Sequence, residues 1–269
     1  MPRRDYSTYR DLREFVVHLE ACGQIKRITE PVSVVHEMTE IHRRVLQESG
    51  PALLFEHAIK ADGMRAGMPI LVNLFGTLER VAWGFGVLPE LLPALGEELA
   101  ELRRPQSPRG FAAAWRKLPL ALSVLSTRPK ETAAPAAQQV VLTGNAIDLA
   151  QLPAQICWPG EPAPLITWPL VITRSPDGQS GQDDNVGIYR MQILGPDRAI
   201  IRWLPHRGGA KHHREWKDRG LDMPVAVAIG ADPATMLAAA LPLPETLSEL
   251  RFSGLLRGER PRLARCVSV

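Results

Sequence analysis

The chain has 269 residues, 45% of them apolar and 23% charged, with a formal net charge of +3, a composition ordinary for a globular protein and long enough to bury a core and hold two domains. So small a positive excess, with no basic run interleaved with aromatics, argues against a nucleic-acid partner, and Arg103-Arg104 with Pro105 and Arg109 reads as a solvated loop. Three scattered cysteines, Cys22, Cys157 and Cys266, argue against a disulfide framework and for a reducing compartment. The amino-terminal Met-Pro-Arg-Arg-Asp-Tyr lacks the apolar core of a secretory signal, and no uncharged apolar run approaches the roughly 20 residues of a spanning helix, so a cytoplasmic protein is expected.

In chain order, Leu12, Phe15, Val16 and Leu19 form a helical stripe that stops at Gly23, and Ile41 with Val45 forms a second that stops at Gly50-Pro51. Strands are expected from Ala52 to Phe55 and from Ile70 to Leu74, followed by a helical region from Leu78 to Leu102 interrupted at Pro89 and Pro93. Helices alternating with strands imply an α/β amino-terminal domain. Thr127 to Ala137 reads as a linker, and a strand-rich part begins at Gln139. The expected division is a first domain over 1–130 and a second over 131–269.

The second part holds the most informative stretch. Apolar and polar residues alternate from Val186 to Leu194 and again from Arg198 to Leu204, the period of half-buried strands, with Gly195-Pro196-Asp197 as the turn between them. One hairpin would thus gather Asn185, Arg190, Arg202 and His206. Asn185 and Arg190, an odd number of positions apart, share a face only if Asn185 sits at a fraying edge or on a bulge. On the return strand, Arg202, Leu204 and His206 lie on one face, Trp203 on the other, and His206 marks the strand's end. Gly208-Gly209 then frees the backbone to form an anion-binding nest. Lys211 to Arg219 reads as a helix, Pro224 to Ile229 as a buried strand, and Asp232-Pro233 as the cap and first residue of another helix. Glu245 and Glu249 follow Pro242 and Pro244, close enough for one carboxylate to reach a metal.

These residues resemble the UbiD family of decarboxylases, which use prenylated FMN. The resemblance is carried by Asn185 through Gly209, Gly230-Ala-Asp-Pro233, Leu243-Pro-Glu-Thr-Leu-Ser-Glu249 and Phe252-Ser-Gly-Leu-Leu-Arg-Gly258. Upstream it extends to Gly50-Pro-Ala-Leu-Leu-Phe-Glu56, Asn73-Leu-Phe-Gly76 and Cys157-Trp158 through Leu165-Ile-Thr-Trp168. The pattern is most similar to the ubiquinone-pathway branch, which removes the carboxylate of 3-polyprenyl-4-hydroxybenzoate. For the fold it implies that the second part is a split β-barrel of the flavin-reductase type, left incomplete.

Residue by residue, the resemblance implies that Asn185, His206 and Glu249 hold a divalent metal, manganese with a nearby potassium, for which oxygen and imidazole ligands are suited. It further implies that Ile188, Tyr189, Arg190, Arg202, Trp203, Leu204, Arg207 and Gly208 line the prenylated flavin. Arg190 would also be the catalytic residue facing the substrate carboxylate, which a planar guanidinium fork binds with two hydrogen bonds. A flavin prenyltransferase would supply the cofactor, and a polyprenylated substrate would bring the protein to the inner face of the cell membrane. The family's proton donor lies downstream of Val269. Since Arg265-Cys-Val-Ser-Val269 reads as the start of a strand, the expectation is an amino-terminal portion of a longer protein that forms homo-oligomers at full length.

Other readings of single residues are structural. His206 alone is a strand-end histidine, Asn185 a turn residue, Glu249 a helix-surface carboxylate and Trp203 core packing; it is their joint pattern that points to a site. His212-His213 reads as a solvated helix face. His36-Glu37 with Glu40 and His42 lacks the one-face spacing of a zinc protease, Cys157-Trp158 lacks a thiol-protease signature, and Gly84-Phe-Gly86 lacks the third glycine of a dinucleotide loop.

Overall fold

The computed structural model describes residues 9–103, 127–133, 135–180, 183–243 and 247–269. The first stripe forms helix α1 (Leu12–Ala21), started by Asp11, whose side chain accepts the Glu14 N–H at 2.9 Å, and followed by Gly23 with a φ of 67°. Next come β1 (Ile25–Ile28), β2 (Val32–Ser33), α2 (Glu37–Gln47), β3 (Ala52–Phe55), β4 (Ala58–Ile59) and β5 (Ile70–Val72). β1 and β3 pair in parallel, which requires a crossover, and α2 provides it; β5 adds antiparallel to β3. The long helical region is α3 (Leu78–Phe85), a single turn at Pro89–Leu91, and α4 (Leu92–Arg103). Gly86, left-handed at φ 71°, makes the break. Pro93 does not interrupt α4, because it occupies the helix's second position, where no N–H is needed.

The segment expected to be a linker is stitched into the fold. Thr127 is buried and its hydroxyl donates to the Arg251 carbonyl at 3.1 Å, while β6 (Lys130–Thr132) pairs in parallel with β13 (Arg262–Ala264). That pairing also moves the terminal strand upstream of Arg265–Val269. Residues 136–151 carry short helical turns rather than strands, so the strand-rich part begins with β7 (Leu165–Ile166) and continues through β8 (Leu170–Arg174), β9 (Asp184–Ile188), β10 (Met191–Ile193) and β11 (Ala199–Ile201). After these come α5 (Gly208–Asp218), β12 (Ala226–Ala228), α6 (Pro233–Ala238) and α7 (Glu249–Arg257). Asp232 caps α6 as expected, accepting the Thr235 N–H at 3.1 Å. The solvated loop expected around Arg104 to Arg109 and the carboxylate of Glu245 lie outside the described residues.

The long hairpin is corrected. Only the Gly195-Pro196-Asp197 turn joins a pair, β10 with β11, closed by Leu194 N–H to the Arg198 carbonyl at 2.9 Å. β9 belongs to a different sheet, ordered β12-β8-β9, whereas β10 lies in β11-β10-β7. The strand breaks at Tyr189-Arg190 because Tyr189 folds back over Gly187, where a Cβ would lie 2.4 Å from the ring, and its hydroxyl accepts the Gly209 N–H at 3.0 Å. The return strand ends at Ile201, so Arg202 to His206 have no strand faces; Arg207 N–H to the Leu204 carbonyl closes a turn into α5. The described residues form a mixed α/β fold in which no sheet closes into a barrel.

Both halves of the chain share one interior. Phe15 and Leu19 of α1 and Trp83 of α3 cluster with Leu170, Val186, Met236 and Leu250, so the amino-terminal helices back the β12-β8-β9 sheet. Ala82, Phe85 and Leu95 cluster with Leu237, Phe252 and Leu256 of α6 and α7. Fully burying each such large side chain contributes about 1.5–3 kcal/mol. Gly84 lets α3 approach α6 closely, since a Cβ there would meet Leu237 Cδ1 at 2.7 Å.

Arg80 is fully buried at the junction of these layers. Its guanidinium donates to the carbonyls of Leu74 at 3.1 Å, Asn73 at 3.1 Å and Gly50 at 3.0 Å and to the Gln24 amide oxygen at 3.0 Å. It thereby satisfies chain ends that the sheet leaves open. Arg80→Ala is expected to lower the unfolding free energy by about 3 kcal/mol in urea titrations, because several buried acceptors lose their donor; a loss under about 1 kcal/mol would show that the chain ends find other partners.

Candidate functional site

The site is built where α5 and α7 meet β9. As the edge of its sheet, β9 has an unpaired outward N–H at Val186, and the Glu249 carboxylate accepts it at 2.9 Å. Strand alternation sends Val186 and Ile188 into the core and Asn185 to the other face. There Asn185 meets the start of α5, and a Cβ on Gly208 would lie 2.0 Å from its Oδ1. Gly209 is as tight, since a Cβ there would meet Trp203 Cζ3 at 2.5 Å. Neither glycine has positive φ and both lie within the first turn of α5, so the expected nest is replaced by a steric requirement for close approach.

Tyr189 and Trp203 brace this corner, with ring centroids 5.0 Å apart and planes at 64°. α5 is further pinned by Trp216 Nε1 donating to the Arg174 carbonyl at 2.8 Å and by a 3.0 Å hydrogen bond between His212 Nδ1 and Thr173 Oγ1. The solvated face expected for His212-His213 is therefore half right: His213 is exposed, stacking over Trp203, whereas His212 is half-buried. Burial holds the His212 pKa below that of an ordinary imidazole.

The result is a cavity of 1120 Å³, at the large end for ligand sites and roomy enough for a nucleotide together with a second small molecule. Asn185, His206 and Glu249, from β9, the turn before α5 and the start of α7, all line it, as do Ile188, Tyr189, Arg190, Arg202, Leu204, Arg207 and Gly208. Trp203 lies behind Tyr189 instead of on the cavity wall. Arg190, His206 and Arg207 are exposed, and Glu249 is half-buried. Reading the residues in order missed Lys211, Arg214, Glu215 and Ser248, also on the wall. Ser248 had a signal: a capping-type serine followed three places later by Arg251 instead of an acid.

Burial pushes the Glu249 carboxyl up from its ordinary pKa, only partly offset by the Val186 N–H, and no cation of the described residues pairs with it. The buried Asn185 Nδ2 also has no hydrogen-bond partner. A half-buried carboxylate, an amide and an imidazole lining the same cavity are donors of the kind a hard or borderline divalent ion accepts. Five cationic side chains on the wall, Arg190, Arg202, Arg207, Lys211 and Arg214, suit an anionic guest. No group of three His, Cys, Asp or Glu residues with metal-binding geometry exists among the described residues, so any metal here depends on the amide as well.

Two family models match the chain. The 3-octaprenyl-4-hydroxybenzoate carboxy-lyase N-terminal domain matches residues 16–99, and the 3-octaprenyl-4-hydroxybenzoate carboxy-lyase Rift-related domain matches residues 128–269. Among solved structures, HmfF, a UbiD-class enzyme from Pelotomaculum thermopropionicum in complex with FMN, is 27% identical, with a TM-score of 0.76 over 96% of this chain and 51% of that one. The vanillic acid decarboxylase of Sedimentibacter hydroxybenzoicus shares the fold at 22% identity, with a TM-score of 0.78 over 98% of this chain and 52% of that one. The 3,4-dihydroxybenzoic acid decarboxylase of Klebsiella pneumoniae shares it at 21% identity, with a TM-score of 0.71 over 97% and 51%. The chain spans about half the length of these solved chains.

Glu249→Gln keeps an oxygen for the Val186 N–H and removes the buried charge. Because the folded carboxyl titrates above its unfolded counterpart, its favourable contribution is full below the unfolded pKa and is lost as pH rises through the folded one. In thermal melts between about pH 4 and pH 8 the variant is expected to lose that slope and to be at least as stable as the parent at neutral pH, while its affinity for Mn²⁺ falls roughly tenfold or more. Gly208→Ala is expected to push Asn185 aside and cost about 1–3 kcal/mol, with a parallel loss of Mn²⁺ affinity in titration calorimetry.

Proposed function

The chain belongs to the UbiD family of carboxy-lyases, and from that premise we propose that it carries the cofactor and metal site of a non-oxidative decarboxylase using prenylated FMN and a divalent cation. The observation that supports this reading is the single cavity whose wall carries Asn185, His206 and Glu249 together with Arg190 and the cationic residues of α5. The substrate we favour is 3-polyprenyl-4-hydroxybenzoate, as in ubiquinone biosynthesis. A same-chemistry decarboxylase of another aromatic or unsaturated acid is the second reading, supported on the aromatic side by proteins of the same fold that act on vanillic and 3,4-dihydroxybenzoic acids.

In this proposal Asn185, His206 and Glu249 hold the cation, manganese with a neighbouring potassium, and Ile188, Tyr189, Arg190, Arg202, Leu204, Arg207 and Gly208 surround the flavin, with Trp203 bracing Tyr189 from behind. The prenylated flavin, when bound, supplies the electron sink for the departing carboxylate's electrons that side chains lack. Arg190 orients the substrate carboxylate through its guanidinium fork. Burial excludes water around Glu249, strengthening its hold on a cation, and deprotonation of the raised carboxyl is required for that hold. A split barrel, a division into 1–130 and 131–269, homo-oligomers and contact with the inner membrane face complete the proposal. HmfF has been solved as an evolved dimeric form with prFMN. No helix of the described residues is long and apolar enough to cross a membrane.

Co-expression with a flavin prenyltransferase tests the proposal: the purified protein should carry a ligand with the mass and absorbance of prenylated FMN, and an aromatic acid should release carbon dioxide in its presence. A ligand-free protein would refute the cofactor reading; a flavin-bound protein that releases none would be a flavin-binding partner and no enzyme. Arg190→Lys is expected to weaken aromatic-acid binding roughly tenfold, measured by displacement titration, with flavin retention unchanged.

A further inference from the structure

Helix α5 lies across two paired strands. Asn185 of β9 stands directly opposite Thr173 of β8, so both side chains project from one face of the sheet. Gly208 rests on Asn185, and His212, one helical turn later, rests on Thr173, with its Nδ1 3.0 Å from Thr173 Oγ1. Thr173 is only 1% exposed, and His212 Nδ1 is the one partner of its hydroxyl among the described residues. A buried hydroxyl hydrogen without an acceptor costs about 1–3 kcal/mol, so the Thr173 O–H donates and Nδ1 accepts. Burial keeps the ring uncharged at neutral pH, so its single proton then sits on Nε2. Nε2 has no partner among the described residues and keeps accessible surface, and His212 lines the cavity. Thr173 thus fixes an N–H donor on the cavity wall.

We propose that His212 is an anion-binding residue of this cavity, its Nε2–H donating to a phosphate oxygen of the guest; this rests on the flavin-nucleotide reading above. The charges around it select an anion. Arg202, Arg207 and Lys211 line the same cavity, whereas two of its carboxylates are already ion-paired, Asp177 to Arg219 and Asp184 to Arg174. An uncharged donor tied at its far nitrogen loses little freedom on binding, unlike the long cationic side chains beside it. Because Thr173 and Asn185 are cross-strand partners, the phosphate held by His212 lies beside the amide assigned to the cation, where the cation can share its oxygens.

His212→Asn and His212→Gln test this in the 269-residue chain. An asparagine amide overlays Nδ1 and keeps the contact with Thr173 but ends short of the cavity, whereas a glutamine amide reaches the place of Nε2 and still donates. FMN affinity, read by fluorescence quenching, is expected to fall roughly tenfold for His212→Asn, the worth of a hydrogen bond to a charged acceptor, and to be largely restored in His212→Gln. Riboflavin, which lacks the phosphate, should bind the parent and both variants alike. Equal losses for FMN and riboflavin would give His212 a structural role and overturn the inference. A loss seen with Mn²⁺ and absent with EDTA would make it a metal ligand, with the same consequence. Nitrogen-15 NMR of the ligand-free chain near neutral pH gives a reading that needs no guest: the imidazole signals missing from His212→Asn should show a protonated Nε2 and a bare Nδ1, and the opposite tautomer would sink the assignment. A parent chain that binds no FMN removes the flavin reading and this inference with it, whereas a parent that binds FMN no better than His212→Asn removes this inference alone.

Discussion

The acceptance of the Val186 N–H by the Glu249 carboxylate organises the site. It does two incompatible-looking things at once. It closes the open edge of a sheet, which any buried N–H requires, and it holds an acid in a place where burial raises its pKa. A neutral side chain would close the edge more cheaply. A carboxylate there gives up stability that a neutral side chain would keep, a trade common at functional sites.

Space rather than backbone freedom explains the glycines beside it. Gly187 admits the ring of Tyr189, Gly208 admits the amide of Asn185 and Gly209 admits the indole of Trp203. With all three in place, β9 and α5 come together closely enough for Tyr189 to engage the backbone of Gly209. Glycine in the first turn of a helix sacrifices propensity, by about 1 kcal/mol per residue relative to alanine, and the sacrifice has a visible return in the closeness of β9 to α5.

Elements governed by local chemistry were legible from residue order. The stripe Leu12, Phe15, Leu19 with Asp11 before it and Gly23 after it defines α1; Ala52 to Phe55 is β3 as read; Asp232-Pro233 starts α6. What resisted reading was set by partners distant in the chain. The break at Tyr189-Arg190 depends on Gly209, the ordering of Thr127 on Arg251, and the strand at Lys130 on Arg262. No periodicity encodes these. For the site, the joint motif identified the cavity's amide, imidazole, carboxylate and most of its guanidinium groups, while the inward turn of His212 and the stranded hydroxyl of Ser248 required the packed arrangement to be seen.

Phe15, Trp83, Val186 and Leu250 occupy one cluster, so helices from the opposite end of the polypeptide form the foundation beneath the strand that bears Asn185. Close-packed interiors transmit displacement instead of absorbing it. Reshaping a methyl or a ring in that hidden layer would tilt β9 by fractions of an ångström and so alter which guests the cavity accepts, leaving every residue on its surface as it was. Selectivity can therefore drift through positions that no ligand ever touches.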